Sequence, residues 1–272
     1  MTATTGAPAP ARSTTDPMRR TARIAGVLYL LTFVSIPTLV LYNPVRDHAD
    51  FILGAGSDTG VLIGALSEVV VGIAGIGTAV VLYPVTKRQN ETAALGFLAA
   101  RVVETCLIFV SVVSLLTIVT LRDDVAGTPG ADNASLTTTG HTLLAVYDRA
   151  FLLSQSLMPV FCDLLLGYLL YRSRLVPRIL PMVAFVGAPL LLASDLAIFF
   201  GLYDRVAPIA GLAALPVAAF ELSLGVWLIV KGFNSSSPLM ARPATDVHIP
   251  SPRTGQPEQR AAGIQDDRRV NS

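Results

Sequence analysis

Six stretches of the chain, at about 22–42, 59–84, 92–121, 143–171, 179–203 and 207–231, are apolar for the length a membrane-crossing helix needs. A helix requires roughly 20 such residues to span the hydrocarbon core. The pattern predicts an all-α integral membrane helical bundle with about six transmembrane helices. Composition points the same way: 14% of the 272 residues are charged, where a soluble domain carries about 25%.

The first 17 residues, MTATTGAPAPARSTTDP, are small and polar, and MRRTAR then leads into the first apolar run. A signal peptide has a shorter apolar core and a small-residue cleavage site, so this run reads as an uncleaved first helix. After Gly232 the chain is rich in Pro, Ser and charge, a composition that does not support a core. The expected organisation is a disordered N-terminal segment over 1–20, a transmembrane domain over 21–232 and a disordered cytoplasmic tail over 233–272. The connections at 43–58 and 122–142 read as the two largest outside loops.

Loop charge sets the expected orientation. One side collects Arg12, Arg19, Arg20 and Arg23, then Lys87 and Arg88, then Arg172, Arg174 and Arg178, then Lys231 and Arg242. The other side has Arg46 with Asp47 and Asp50, Arg122 with Asp123 and Asp124, and Asp204 with Arg205, all balanced or acidic. The positive-inside rule therefore places both termini in the cytoplasm, and an even number of spans, which puts both ends on one side, agrees with that.

Several classes of function find no support. A net charge of +1, with basic residues confined to short loops, offers no nucleic-acid groove. Cys106 and Cys162 each sit in an apolar run without the spacing of a disulfide framework or metal site. The three histidines, His48, His141 and His248, lie in loops or the tail, so the histidine pair of a haem or metal bundle is missing. No phosphate-binding glycine loop occurs. No cofactor and no metal are expected. Ser154 and Ser156 read as ordinary helix-face hydroxyls. Tyr29, Tyr42, Tyr83, Tyr171, Tyr203 and Trp227 read mostly as interface aromatics. Gly60, Gly64, Gly72, Gly75 and Gly77 allow the second span to pack closely on a neighbour.

The informative residues are charges inside the spans, which cost roughly 2.5–3.5 kcal/mol each on insertion scales and mark functional sites by default. They are Glu68, Arg101, Glu104, Asp148, Arg149, Asp163, Asp195 and Glu221. At about 1.5 Å per residue, Arg101, Asp163 and Glu221 lie roughly 12–15 Å from the cytoplasmic ends of their helices, and Glu104 one turn deeper. These four form a candidate inner substrate or ion site. Glu68 and Asp195 lie about 12–14 Å from the outside ends, and with Arg149 they form a candidate outer cluster. One cation against three carboxylates cannot stay fully ionised in a low-dielectric interior, so such a site is expected to hold an acid with a raised pKa or a bound proton or cation. Pro159 and Pro216 free the carbonyls of Gln155 and Leu212 close to Asp163 and Glu221, as in transporters that bind at interrupted helices. A structural alternative stays open: residues 102–121 alone can span, which lets Arg101 snorkel to phosphates and neutralise Glu104 along one helix face.

MRRTARIAGVLYLLTF in the first span, LYPVTKRQNETAALGFLAARVVE across the second and third, LLLGYLLYRSRLVPRIL between the fourth and fifth, and FELSLGVWLIVKGF at the end resemble the DUF4386 family of bacterial polytopic membrane proteins. The resemblance covers about 18–233. It implies a helical integral membrane fold in the bacterial cytoplasmic membrane and brings no activity, substrate or cofactor with it. The site residues rest on depth alone. The leading expectation is a small transporter or proton- or cation-linked membrane protein. Alternatives are a non-enzymatic sensor or assembly subunit with structural buried charges and, third, an intramembrane lipid-modifying enzyme, for which no nucleophile motif is present. The lipid bilayer is the one partner implied; protein partners carry no signal and a homo-oligomer stays open.

Overall fold

All six apolar stretches form helices, and in the first and fourth spans hydroxyls, a cap and prolines set where the helix starts or breaks. The computed structural model describes residues 15–241 apart from 49, 55, 126, 127 and 129–131. The first span is broken. Helix α1 (Thr15–Leu31) runs into a 3₁₀ turn (Thr32–Ser35), followed by the short helices α2 (Thr38–Leu41) and α3 (Asn43–Asp47). The cause is local: the hydroxyls of Thr32, Ser35 and Thr38 donate to the carbonyls of Tyr29, Thr32 and Ser35, each three residues back, at 2.6, 3.2 and 2.6 Å. Pro37 adds the loss of a backbone donor.

The second and third spans are the long helices α4 (Thr59–Thr86) and α5 (Glu91–Val125). The fourth consists of α6 (Asn133–Phe151), a π-turn (Leu152–Leu157) and α7 (Met158–Ser173). Much of the 122–142 stretch, expected to be an outside loop, is therefore helical. Asp132 caps α6 by accepting from the amides of Ala134 and Ser135 at 3.1 and 3.3 Å, which supplies the polar start that hydropathy does not register. The hydroxyls of Thr137, Thr138, Thr139 and Thr142 bond the carbonyls four residues back. Two shorter spans, α8 (Ile179–Phe199) and α9 (Pro208–Val230), are followed by the single turn α10 (Pro238–Ala241).

Six helical stretches are long and apolar enough to cross a membrane: Pro17–Asp47, Thr59–Thr86, Glu91–Val125, Asn133–Ser173, Ile179–Phe199 and Pro208–Val230. The chain is a multi-pass membrane protein. Each span packs on the next, α1 on α4, α4 on α5, α5 on α6 and α7, α7 on α8, and α8 on α9; α9 then returns to α1, closing a ring. Leu66, Val113, Val186 and Leu212 are among the apolar side chains exposed on the outside of that ring.

Lipid is as apolar as leucine, so the ring cannot close by the hydrophobic effect and relies on close packing of small residues. At the α1–α9 closure a Cβ added to Gly26 would lie 2.6 Å from the Gly225 carbonyl oxygen, and one on Gly187 of α8 would lie 2.9 Å from the Val217 amide. Within α4, a Cβ on Gly64 would overlap the Tyr42 ring, and one on Gly72 would meet Thr105 at 2.9 Å.

Both ends of the ordered domain extend beyond the limits read from hydropathy. Helix α1 begins at Thr15, inside the 1–20 segment expected to be disordered, because Met18 packs on the core. Residues 233–241, expected to begin the tail, fold back. The Asn234 amide donates to the Leu175 carbonyl at 2.8 Å, the Ser237 hydroxyl to the Ser173 carbonyl at 2.6 Å, and Leu239 is buried. The remainder of both expected segments, 1–14 and 242–272, lies outside the described residues.

Gly26→Val is expected to destabilise the domain by about 1–3 kcal/mol, the usual result of overpacking. Gly211→Ala, where an added Cβ meets nothing within 4 Å, is expected to be neutral. Thermal unfolding of the two purified variants in detergent checks the contrast.

Candidate functional site

Arg101 projects from α5 into the middle of the ring, and only 3% of the residue is exposed. Its Nη1 donates to both carboxylate oxygens of Glu104 at 3.0 Å, one turn along the same helix. Its Nη2 donates to Glu221 Oε1 of α9 at 3.0 Å and to the Tyr29 hydroxyl of α1 at 3.3 Å. The rings of Tyr29 and Phe97 lie 5.6 and 5.7 Å from the guanidinium carbon. The Cys162 thiol of α7 donates to Glu104 Oε2 at 3.4 Å. The cation is thus held by three spans, and a fourth holds its carboxylate partner.

Asp163 follows Cys162 on α7 and is wholly buried. Neither of its oxygens has a hydrogen-bond partner among the described residues. It interacts electrostatically with Arg101, Glu104 and Glu221 without bonding to any of them. The inner candidates are therefore one group: a guanidinium bonded to two carboxylates, with a third carboxylate nearby and unbonded. Arg101 is turned toward Glu104, Glu221 and Tyr29, with 3% of the residue exposed.

A cleft of about 190 Å³ opens onto this group, lined by Arg101, Glu104 and Glu221 together with Thr32, Ser35, Gln155 and Pro159. Thr32 and Ser35 belong to the 3₁₀ turn of the first span, and Gln155 to the π-turn of the fourth. The two irregular segments thus face the same space. The π-turn follows from Pro159, which has no N–H to give the Gln155 carbonyl, and such turns concentrate at functional sites. Among the described residues no three His, Cys, Asp or Glu side chains are placed to hold a metal ion.

The outer candidates do not form one cluster. Glu68 is fully buried and accepts from the Tyr147 hydroxyl at 3.5 Å, while Asp195 accepts from the Ser156 hydroxyl. Arg149 is exposed. The ion pairs of this region belong to its neighbour Asp148, bonded to Arg46 at 2.9 Å and to Arg205 at 2.8 Å. The helix turns 100° per residue, so one position separates the paired aspartate from the outward-facing arginine. Arg205 also lies over the rings of Phe151, at 4.1 Å, and Tyr147, at 5.6 Å.

Sequence reasoning missed Tyr29, Tyr42, Tyr147, Gln155 and Arg205. Tyr29 and Tyr42 are buried within the protein at 0% and 2% exposure, and a buried tyrosine keeps a polar tip that seeks a partner. Arg205 was obscured by Asp204 beside it, which made that loop look balanced. The proline signal at 159 was legible and pointed to the carbonyl of Gln155; the role of its side chain was not.

A family model described as Domain of unknown function (DUF4386) matches residues 24–232. The chain belongs to the DUF4386 family. No curated protein and no solved structure matches it. The match runs from within α1 to just past α9, so in this family member it takes in the whole ring, the Arg101 group and the cleft.

Arg101→Met leaves Glu104 and Glu221 buried without their cation and is expected to destabilise the protein by about 3–5 kcal/mol, as one-sided removal of a buried pair does. Adding Glu104→Gln and Glu221→Gln to Arg101→Met should recover much of that loss. Thermal unfolding of the single and triple variants in detergent measures both.

Proposed function

We propose that the protein is a small-solute carrier linked to protons or cations, with the cleft beside Arg101 as its binding site. The observation that carries this reading is the charge imbalance at the cleft. The one guanidinium is bonded to two carboxylates, and a third acid, Asp163, is buried with neither oxygen bonded among the described residues. Two of these carboxylates are already matched against a single positive charge, so the group is stable only with bound protons or a bound cationic group. Glu221, with 16% of its side chain exposed, offers an acid at the cleft wall. Asp163 lies deeper and suits a proton better than a solute.

The flanking irregular turns support the same reading. Carriers commonly bind near the membrane midplane where helices are interrupted, because an interrupted backbone frees carbonyls and lets a helix half move. The bias of Arg and Lys to one set of loops supports a bacterial cytoplasmic membrane setting with both termini inside.

A second reading has its own observation: the Arg101 fork ties α5 to α9 and α1, as a structural lock in a sensor or assembly subunit would. Proteoliposomes decide between the two. Wild-type protein is expected to acidify or alkalinise the lumen when a cationic solute gradient is imposed. Asp163→Asn or Glu221→Gln is expected to reduce this at least tenfold while the protein elutes as a folded species. Wild-type rates in both variants would exclude the carrier reading and favour the lock.

A further inference from the structure

Glu68 is a buried acid that the Arg101 group does not use. It lies on α4 with no exposed surface. One of its oxygens accepts from the Tyr147 hydroxyl at 3.5 Å, and the other has no hydrogen-bond partner among the described residues. Tyr42 and Gln155 border it. The Tyr42 hydroxyl and the Gln155 amide nitrogen are themselves buried, with no hydrogen-bond partner among the described residues. Gly64, one turn earlier on α4, admits the Tyr42 ring, because a Cβ there would overlap it. The fold thus sets two phenols and an amide around a single carboxyl group.

The charges around this carboxyl can be named. Tyr42 approaches from the segment after the 3₁₀ turn, Tyr147 from α6 and Gln155 from the π-turn. Arg205 acts on Glu68 electrostatically but bonds to Asp148, which Arg46 also holds. No cation therefore touches Glu68 among the described residues. An unpaired charge in a spanning helix is expensive, and a bound proton removes that expense without needing any room. No three His, Cys, Asp or Glu side chains among the described residues are placed to hold a metal ion there.

Glu68 also has a neighbour on each side that leads elsewhere. Tyr147 precedes Asp148, which lines a cavity of about 290 Å³ with Arg46 and Arg205 at the end of the bundle away from α10. Gln155 lines the cleft that opens on Arg101, Glu104 and Glu221. The next residue, Ser156, bonds Asp195 of α8 instead, so the π-turn sends two consecutive side chains to different acids.

We propose that Glu68 is a second proton-binding site, and that protons pass between the Arg46–Asp148–Arg205 end and the acids of the cleft by way of Glu68 and across Gln155. The step is a proton transfer: the O–H bond of the Glu68 carboxyl breaks and an O–H bond forms on the carboxylate of Glu221, with water in the cleft that Gln155 and Glu221 both line carrying the proton between them. Gln155 takes no proton; it positions the two sides. The route rests on the carrier reading above, whereas the Glu68 site does not.

The test uses full-length protein in lipid vesicles with two readouts. Infrared spectra across a pH series report protonated carboxyl groups by their carbonyl stretch, and an enclosed pH dye reports proton movement. Glu68→Gln is expected to remove one carbonyl component, to leave the component sensitive to Glu221→Gln, and to slow proton movement at least tenfold. Tyr147→Phe, which keeps the acid but removes a hydroxyl facing it, is expected to shift the Glu68 component. It keeps the test decisive if Glu68→Gln does not fold. An unchanged spectrum in Glu68→Gln, or an unshifted component in Tyr147→Phe, would overturn the site. A lost component with wild-type proton movement would overturn the route. Wild-type protein that moves no protons while showing the Glu68 component would overturn the carrier reading and the route with it, and support the site alone.

Discussion

The structure depends on keeping one guanidinium in the middle of a ring of helices. A buried arginine is tolerable only when its donors are matched. Arg101 finds Glu104 on its own helix but must reach Glu221 and Tyr29 on two others. Those two helices, α9 and α1, are the pair that closes the ring. Gly26 lies three residues before Tyr29, and Gly225 four residues after Glu221, so the close contact of the glycines is one helical turn from both partners of the cation. Packing and electrostatics are therefore coupled at this point: separating the helices takes Tyr29 and Glu221 away from Arg101.

The irregular backbone has a similar logic. A spanning helix satisfies its own peptide groups, so each interruption needs a compensating partner or a cavity to face. The 3₁₀ turn at Thr32–Ser35 is compensated by its own hydroxyls, and the π-turn at Leu152–Leu157 follows from a proline. Both border the cleft on Arg101. Two breaks in different spans thus meet at one cleft, beside Arg101, Glu104 and Glu221.

Much of the architecture was legible from hydropathy, and the reasons it stopped being legible are specific. Hydropathy does not detect polar helix, so it ended the third span near 121 and started the fourth near 143, whereas Asp132 and a run of threonines carry the helix back to Asn133. It also ended the domain at 232, because the polar Asn234 and Ser237 gave no hint that they bond to the 173–175 backbone. Depth counting put Arg101, Asp163 and Glu221 at one level, and the structure brings Arg101 and Glu221 into contact. The same counting put Asp148 and Arg149 together, nearer the surface than Glu68, and took Arg149 as the candidate cation of the outer cluster. Depth carries no information about which way a side chain faces around the helix, and there the structure has Asp148 paired and Arg149 exposed.

From its sequence alone, this protein was bound to be a six-span helical membrane protein with a few expensive charges in its interior. Apolar length and the cost of burying charge in lipid are properties of each segment separately, so they can be read without knowing the neighbours. The closure of the ring, the match of Arg101 with Glu221 and Tyr29, and the phenols around Glu68 were decided only by the tertiary structure. Each depends on how one helix is rotated against another, with close glycine contacts both between distant spans, at Gly26 and Gly225, and between consecutive ones, at Gly64 and Tyr42.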